Sequence, residues 1–312
     1  LKVLFWGTPE FATPSLRALL GEGFDVVGVV TQPDRPQGRS RSTLVPSPIK
    51  AIALDEQLPV LQPERPRGPE FLAAITALAP DVSVVVAYGN LLPQAVIDVP
   101  RIGTFNVHAS LLPEFRGAAP IQAAIRAGLP ETGVTIMRVV AALDAGPMLI
   151  RRVTPIADDE TCGELSLRLA ELGAVALIEA LALMSLGASM EQPQDESRAT
   201  YAGKVDREST RIDWTRPATE VSRAIRAYDP RPGARAVVAG ADVKLFGASV
   251  ADQVHPAPPP GEVVAIGADG LIVACADASA VRIQVVQPAG RSRITAAEWG
   301  RGRGVAVGDR LT

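Results

Sequence analysis

The chain has only two histidines, and one of them, His108, stands two residues after Asn106 in the run GTFNVHASLLPEFRGAAPIQ (103–122). A carboxamide N–H can donate to a developing oxyanion, and an imidazole can donate or shuttle a proton. The period-2 alternation of a strand puts both side chains on one face. Further on, LDAGPM (143–148) sets Asp144 before a turn of small residues, where a carboxylate can orient His108. Taken alone, the same residues suit a strand-end Asn, a hydrogen-bonded core His and a turn Asp that caps its own backbone. Spacing leaves both readings open. Neither Ser110 nor Cys162 sits in a G-x-S-x-G elbow, and no G-x-G-x-x-G follows the first apolar run. Nucleophilic-elbow chemistry and a dinucleotide fingerprint are therefore not indicated.

The elements that must position these residues alternate along the chain. KVLFW (2–6), DVVGVV (25–30), LPVLQP (58–63), DVSVVVAYG (81–89), GTFNVHAS (103–110), GVTIMRVV (133–140) and PMLIRRVTPI (147–156) read as strands. Stretches at helical spacing separate the earlier ones, PIQAAIRAG (120–128) reads as a helix, and a long helix is expected over 162–184. Strands that are apolar on both faces and alternate with helices predict an α/β fold with a mostly parallel, Rossmann-like sheet. Ligands in such sheets bind beyond the carboxyl ends of the strands, which is where Asn106 and His108 fall.

After Leu186 the pattern changes. The polar stretch 187–209 reads as a linker. A helix in PATEVSRAIRAY (217–228) and then short β-type runs punctuated by Gly and Pro predict a small C-terminal β-barrel, OB-like in kind. The expected organisation is a catalytic domain over 1–186, a linker over 187–209 and a barrel over 210–312.

Composition bounds the function classes. At 312 residues the chain fits two domains. With 47% hydrophobic and 21% charged residues it can bury a core, which argues against disorder. A net charge of −3 gives no global nucleic-acid footprint, so any RNA contact must be local. Two basic stretches qualify: the loop 33–50, with Arg39 and Arg41, and the turn PAGRSR (288–293), with Arg291 and Arg293. Two distant cysteines predict buried, reduced thiols, and so few Cys and His predict no metal site. A leader and an uninterrupted apolar stretch of membrane-spanning length are both lacking, so a soluble cytoplasmic protein is expected.

FNVHASLLPEFRGAAPIQ followed by LDAGPM resembles the catalytic signature of the folate-dependent formyltransferases. VLFWGTPEFA, TQPDRPQGRSRSTLVPSPIK (31–50), YGNLLP (88–93), TRIDW (210–214) and VQPAG (286–290) extend the resemblance over nearly the whole chain. They are similar to the members that act on methionine carried by initiator Met-tRNA. The resemblance implies a one-carbon group transferase that uses 10-formyltetrahydrofolate as cosubstrate and supports translation initiation. It implies catalytic roles for Asn106, His108 and Asp144. It further implies folate contacts from Ser110, Leu111, Leu112 and Pro113 and from Tyr88, Gly89, Asn90 and Leu91. Arg39, Arg41, Arg291 and Arg293 would contact the tRNA, with no metal and no obligate protein partner.

Overall fold

KVLFWG forms β1 (Lys2–Gly7), and every residue after Lys2 is buried. A strand that is apolar on both faces needs cover on both, and β1 accordingly lies inside its sheet. The other strands are β2 (Asp25–Val30), β3 (Val60–Leu61), β4 (Val82–Val86), β5 (Gly103–His108), β6 (Glu131–Arg138) and β7 (Met148–Pro155), in the order β7-β6-β5-β4-β1-β2-β3. Strands β1 to β5 pair in parallel. Strand β6 runs antiparallel to β5, with Met137 opposite Asn106 and Thr135 opposite His108. The helices are α1 (Thr13–Gly21), α2 (Pro48–Asp55), α3 (Pro69–Ala77), α4 (Pro120–Ala127), α5 (Cys162–Ser185), α6 (Ala218–Ala227) and α7 (Ala296–Arg301), besides a single turn at Gln94–Ile97.

This computed structural model describes residues 1–37 and 43–312, so Arg39 and Arg41 lie outside the described residues. The chain divides into two units. The first comprises Leu1–Gly117, Thr132–Thr154 and Ser166–Tyr201, and the second Ala118–Glu131, Pro155–Leu165 and Ala202–Thr312.

In the first unit, Leu4, Trp6, Val30, Ile75, Tyr88 and Val96 form one packed cluster. Trp6 meets Tyr88 edge to face at 5.3 Å, and its indole N–H donates to Ser83 Oγ at 3.2 Å. On β5, a Cβ at Gly173 of α5 would come within 2.8 Å of Val107 Cγ1. Val107 thus faces the covering helix. Asn106 and His108, of opposite parity, face away from it. This is the packing that frees one face of the strand end for chemistry.

In the second unit, β8 (Ala234–Val238), β9 (Ala241–Ala251), β10 (Val263–Gly267), β11 (Gly270–Ala274) and β12 (Ala280–Pro288) form an antiparallel sheet in the order β8-β9-β12-β11-β10, and β13 (Ile294–Thr295) pairs with β12. The two outer strands are bridged by residues 308–312. Val263 N–H donates to Asp309 O at 2.8 Å, and Val237 and Thr312 exchange backbone bonds at 2.8 and 2.9 Å. Those bonds occupy exposed edges that would otherwise template pairing with other chains. The core beneath includes Trp214, Val221, Ile225, Leu245, Val273 and Val286.

Among the described residues no helix is long and apolar enough to cross a membrane. Cys162 and Cys275 are both free and buried, and burial pushes each thiol up to about 12.

Candidate active site

Strand β5 ends at His108, and the chain folds back at once through residues 109–117. Three bonds fix this return. Ser110 Oγ donates to Glu114 O at 2.6 Å. Thr135 Oγ1 donates to Ser110 O at 2.7 Å and accepts from Leu112 N–H at 3.2 Å. The return brings Phe115 O to 3.0 Å from His108 Nε2. A carbonyl oxygen only accepts, so the proton in this bond sits on Nε2, and the ring orientation follows from the hydrogen-bond pattern.

The other ring nitrogen faces Asp144. His108 Nδ1 and Asp144 Oδ2 are 3.7 Å apart, too far for a direct hydrogen bond and close enough for an ion pair. Both side chains are largely buried, at 6% and 14% exposure, which shields the pair from solvent screening. The same Oδ2 accepts Gly117 N–H at 2.8 Å. Asp144 adopts φ +49°, in the left-handed region that Asp tolerates better than most residues. Gly146 follows because nothing larger fits: a Cβ there would lie 1.8 Å from Arg138 O.

Asn106 stands one strand period before His108 and is half-buried. Its carboxamide has no hydrogen-bond partner among the described residues. An amide donor that is free, on the same strand face as an imidazole that itself faces a carboxylate, can stabilise an oxyanion while the other two groups move a proton.

The remaining expected residues fall into different surroundings. Leu112 is fully buried with Met137 and Met148, while Leu111 is half-buried and reaches Gly133 of β6. Pro113 is buried. Tyr88 packs into the sheet's apolar cluster, where burial pushes its phenol up to about 12. Its carbonyl accepts from Thr8 Oγ1 at 3.2 Å and Gln32 Nε2 at 3.3 Å. Gly89 (φ +93°) borders open space, Asn90 is exposed and Leu91 is 76% exposed. In the basic loop, Lys50 is bound to Asp34 at 2.6 Å, and that bond is the main reason the Asp34 carboxyl sits below the usual carboxylate range. Lys50 is therefore already neutralised. On the second unit, Arg291 is exposed at a tight turn. Arg293 lies 3.7 Å over the Phe246 ring and donates to Pro230 O at 2.5 Å. Among the described residues no group of three or more His, Cys, Asp or Glu side chains could hold a metal.

Residues 1–181 match the formyl transferase family, and residues 204–304 match the formyl transferase C-terminal domain. The chain belongs to the formyl transferase family. It is 49% identical, over 94% of its length and 91% of the relative's, to a methionyl-tRNA formyltransferase of Pseudomonas fluorescens. A methionyl-tRNA formyltransferase of Pseudomonas putida is 47% identical over 94% of this chain and 93% of that one. Solved structures share the formyl transferase fold. HypX from Aquifex aeolicus, in complex with tetrahydrofolic acid, superposes with TM-score 0.65 at 21% identity over 95% of this chain, which spans 46% of that longer protein. WlaRD, a sugar 3N-formyl transferase in the presence of dTDP and 5-N-formyl-THF, gives TM-score 0.68 at 16% identity over 94% of this chain and 99% of that one.

Three residues around the site escaped sequence reasoning: Arg116, Gln194 and Glu196. Arg116 is wholly buried and carries a charge. Gln194 and Glu196 sit in a polar stretch that composition marks as linker. No local pattern joins partners 78 and 80 residues apart.

Proposed function

We propose that this chain transfers a formyl group from 10-formyltetrahydrofolate to the α-amine of methionine esterified to initiator tRNA, as a cytoplasmic enzyme of translation initiation. The observation that carries the reading is the unpartnered Asn106 carboxamide on the strand face of His108, which in turn faces Asp144, in a chain with close methionyl-tRNA formyltransferase relatives.

The attacking amine must be neutral. Its lone pair forms the new C–N bond at the formyl carbon, and the carbonyl oxygen becomes an oxyanion. Asn106 donates its N–H to that oxygen, an interaction worth about 3–4 kcal/mol at comparable sites. Asp144 and His108, facing each other across 3.7 Å, receive the proton that the amine gives up. As the bond from the formyl carbon to N10 breaks, that proton passes to the departing nitrogen. The products are tetrahydrofolate and N-formylmethionyl-tRNA. No covalent bond to the enzyme forms, and the rate enhancement comes from orientation and fixed dipoles.

Leu111, the open backbone at Gly89 and the exposed Leu91 are the apolar and accessible groups suited to a pteridine ring. Ser110, Leu112, Pro113 and Tyr88, all buried, and the exposed Asn90 complete the two segments assigned to the folate in this reading. Residues 1–186 carry the chemistry in this reading, and 210–312 hold the RNA through Arg291 and Arg293, together with Arg39 and Arg41 from the first domain. The test offers the 10-formyl donor with Met-tRNA, with a nucleotide-linked amino sugar and with a phosphorylated small amine. The reading requires transfer to Met-tRNA, and preferential transfer to either small amine would overturn it.

A further inference from the structure

Asp144 is held by its backbone as well as by its carboxylate. Gln194 Nε2 donates to Asp144 O at 2.8 Å and to Gly146 O at 2.7 Å. Gln194 Oε1 in turn accepts from Arg116 Nε at 3.1 Å and Arg116 Nη2 at 2.8 Å. The carboxamide thereby uses both donors and both acceptor sites, its full capacity. Gln194 is half-buried between exposed neighbours, Pro193 and Asp195, so the chain turns this one side chain inward.

The guanidinium is itself clamped. Arg116 is 1% exposed, and Nη1 and Nη2 meet the two oxygens of Glu196 at 2.9 and 2.7 Å. A fork matched to a carboxylate fixes direction as well as distance. Arg116 also precedes Gly117, whose N–H binds the Asp144 carboxylate. One buried arginine thus joins both grips on Asp144. One runs through the adjacent peptide to the side chain. The other runs through Gln194 to the left-handed turn.

We infer that Gln194, oriented by Arg116 and Glu196, is a positioning residue for formyl transfer, acting by holding the turn 144–146 so that Asp144 faces His108. The stretch that composition marks as linker therefore contributes to the reaction centre. This rests on the proposed role of Asp144.

Gln194→Glu separates the two ends of the relay. The new carboxylate still accepts from Arg116, which favours folding, but it cannot donate to the two carbonyls. Gln194→Ala removes both ends. Each variant is expected to lower kcat on the order of tenfold to a hundredfold, as small misplacements do, with KM for donor and Met-tRNA within about twofold of wild type. In an Asp144→Asn background the same changes should cost almost nothing further, because the group they position is gone. A second readout does not need turnover. With only two histidines, 15N-histidine spectra of the full chain resolve His108 from His255. Both variants should shift the His108 imidazole signals and leave those of His255 in place. Unchanged kcat, a loss that multiplies in full with Asp144→Asn, or unmoved His108 signals would each overturn the inference. A wild-type protein that formylates no Met-tRNA would instead overturn the proposed function, and the spectra would still decide the geometry.

Discussion

His108 is gripped from two sides: its Nε2 donates to Phe115 O at 3.0 Å, and its Nδ1 faces Asp144 Oδ2 at 3.7 Å. The first contact fixes the ring and the second gives it a charged neighbour. Proton transfer in the proposed reaction depends on this pair acting as a unit, and the predictions start there.

Residues that act together lose function together. His108→Ala and Asp144→Asn should each lower kcat on the order of a hundredfold or more. The double variant should be little worse than either single one. Steady-state kinetics on the four proteins checks this, and full multiplication of the two losses would mean that the residues act independently.

Two glycines near the site should respond differently to a methyl group. At Gly146 a Cβ would lie 1.8 Å from a backbone oxygen, so the turn must shift, and Gly146→Ala should cost more than about 3 kcal/mol. Gly89 has φ +93° but open space around it, so Gly89→Ala carries only the conformational penalty, about 1–2 kcal/mol. Urea unfolding of both variants measures the contrast.

Acid should reveal the clamp on Arg116. Hydrogen bonds to that guanidinium hold the Glu196 carboxyl below its usual range. A depressed carboxylate stabilises the native state fully above the ordinary glutamate range, and the contribution fades as pH falls through the depressed value. Wild type should therefore exceed Glu196→Gln in urea midpoint at neutral pH, and the two should converge well below pH 4. A gap that stays constant with pH would contradict the assignment.

Salt separates the roles of the two barrel arginines. If each neutralises one tRNA phosphate, Arg291→Ala and Arg293→Ala should each reduce the slope of log affinity against log salt by about one. Arg293→Ala should also lower stability, because it abandons the Phe246 face and the Pro230 carbonyl, whereas Arg291→Ala should not. Equal slopes for wild type and Arg291→Ala would remove that residue from the interface.

The strands that build the sheet, the face shared by Asn106 and His108, and the turn at Asp144 were legible because each rests on local pattern, whereas the order of the strands in the sheet was not. Alternation fixes the face, and small residues mark the turn. Tyr88 was less so. Its packing with Trp6 in the apolar cluster is a burial that an aromatic at a strand end does not announce in sequence. Lys50 lies at the end of the basic stretch 33–50 and is paired with Asp34, a contact that sequence alone does not show. Helix α4 stands among sheet elements in sequence, but its buried face packs with α6 in the second unit. The Arg116–Gln194 relay left no trace, because it joins a motif to a polar stretch 78 residues away and depends on burial that composition does not encode.

The most direct test of the account is single-turnover formyl transfer by Asn106→Ala with saturating 10-formyl donor and Met-tRNA. The Asn106 amide has no partner among the described residues, so its removal should leave stability within about 0.5 kcal/mol and both affinities unchanged. Transfer should be roughly a hundredfold to a thousandfold slower, the cost of one lost oxyanion donor. A rate equal to wild type, with both substrates bound, would contradict it.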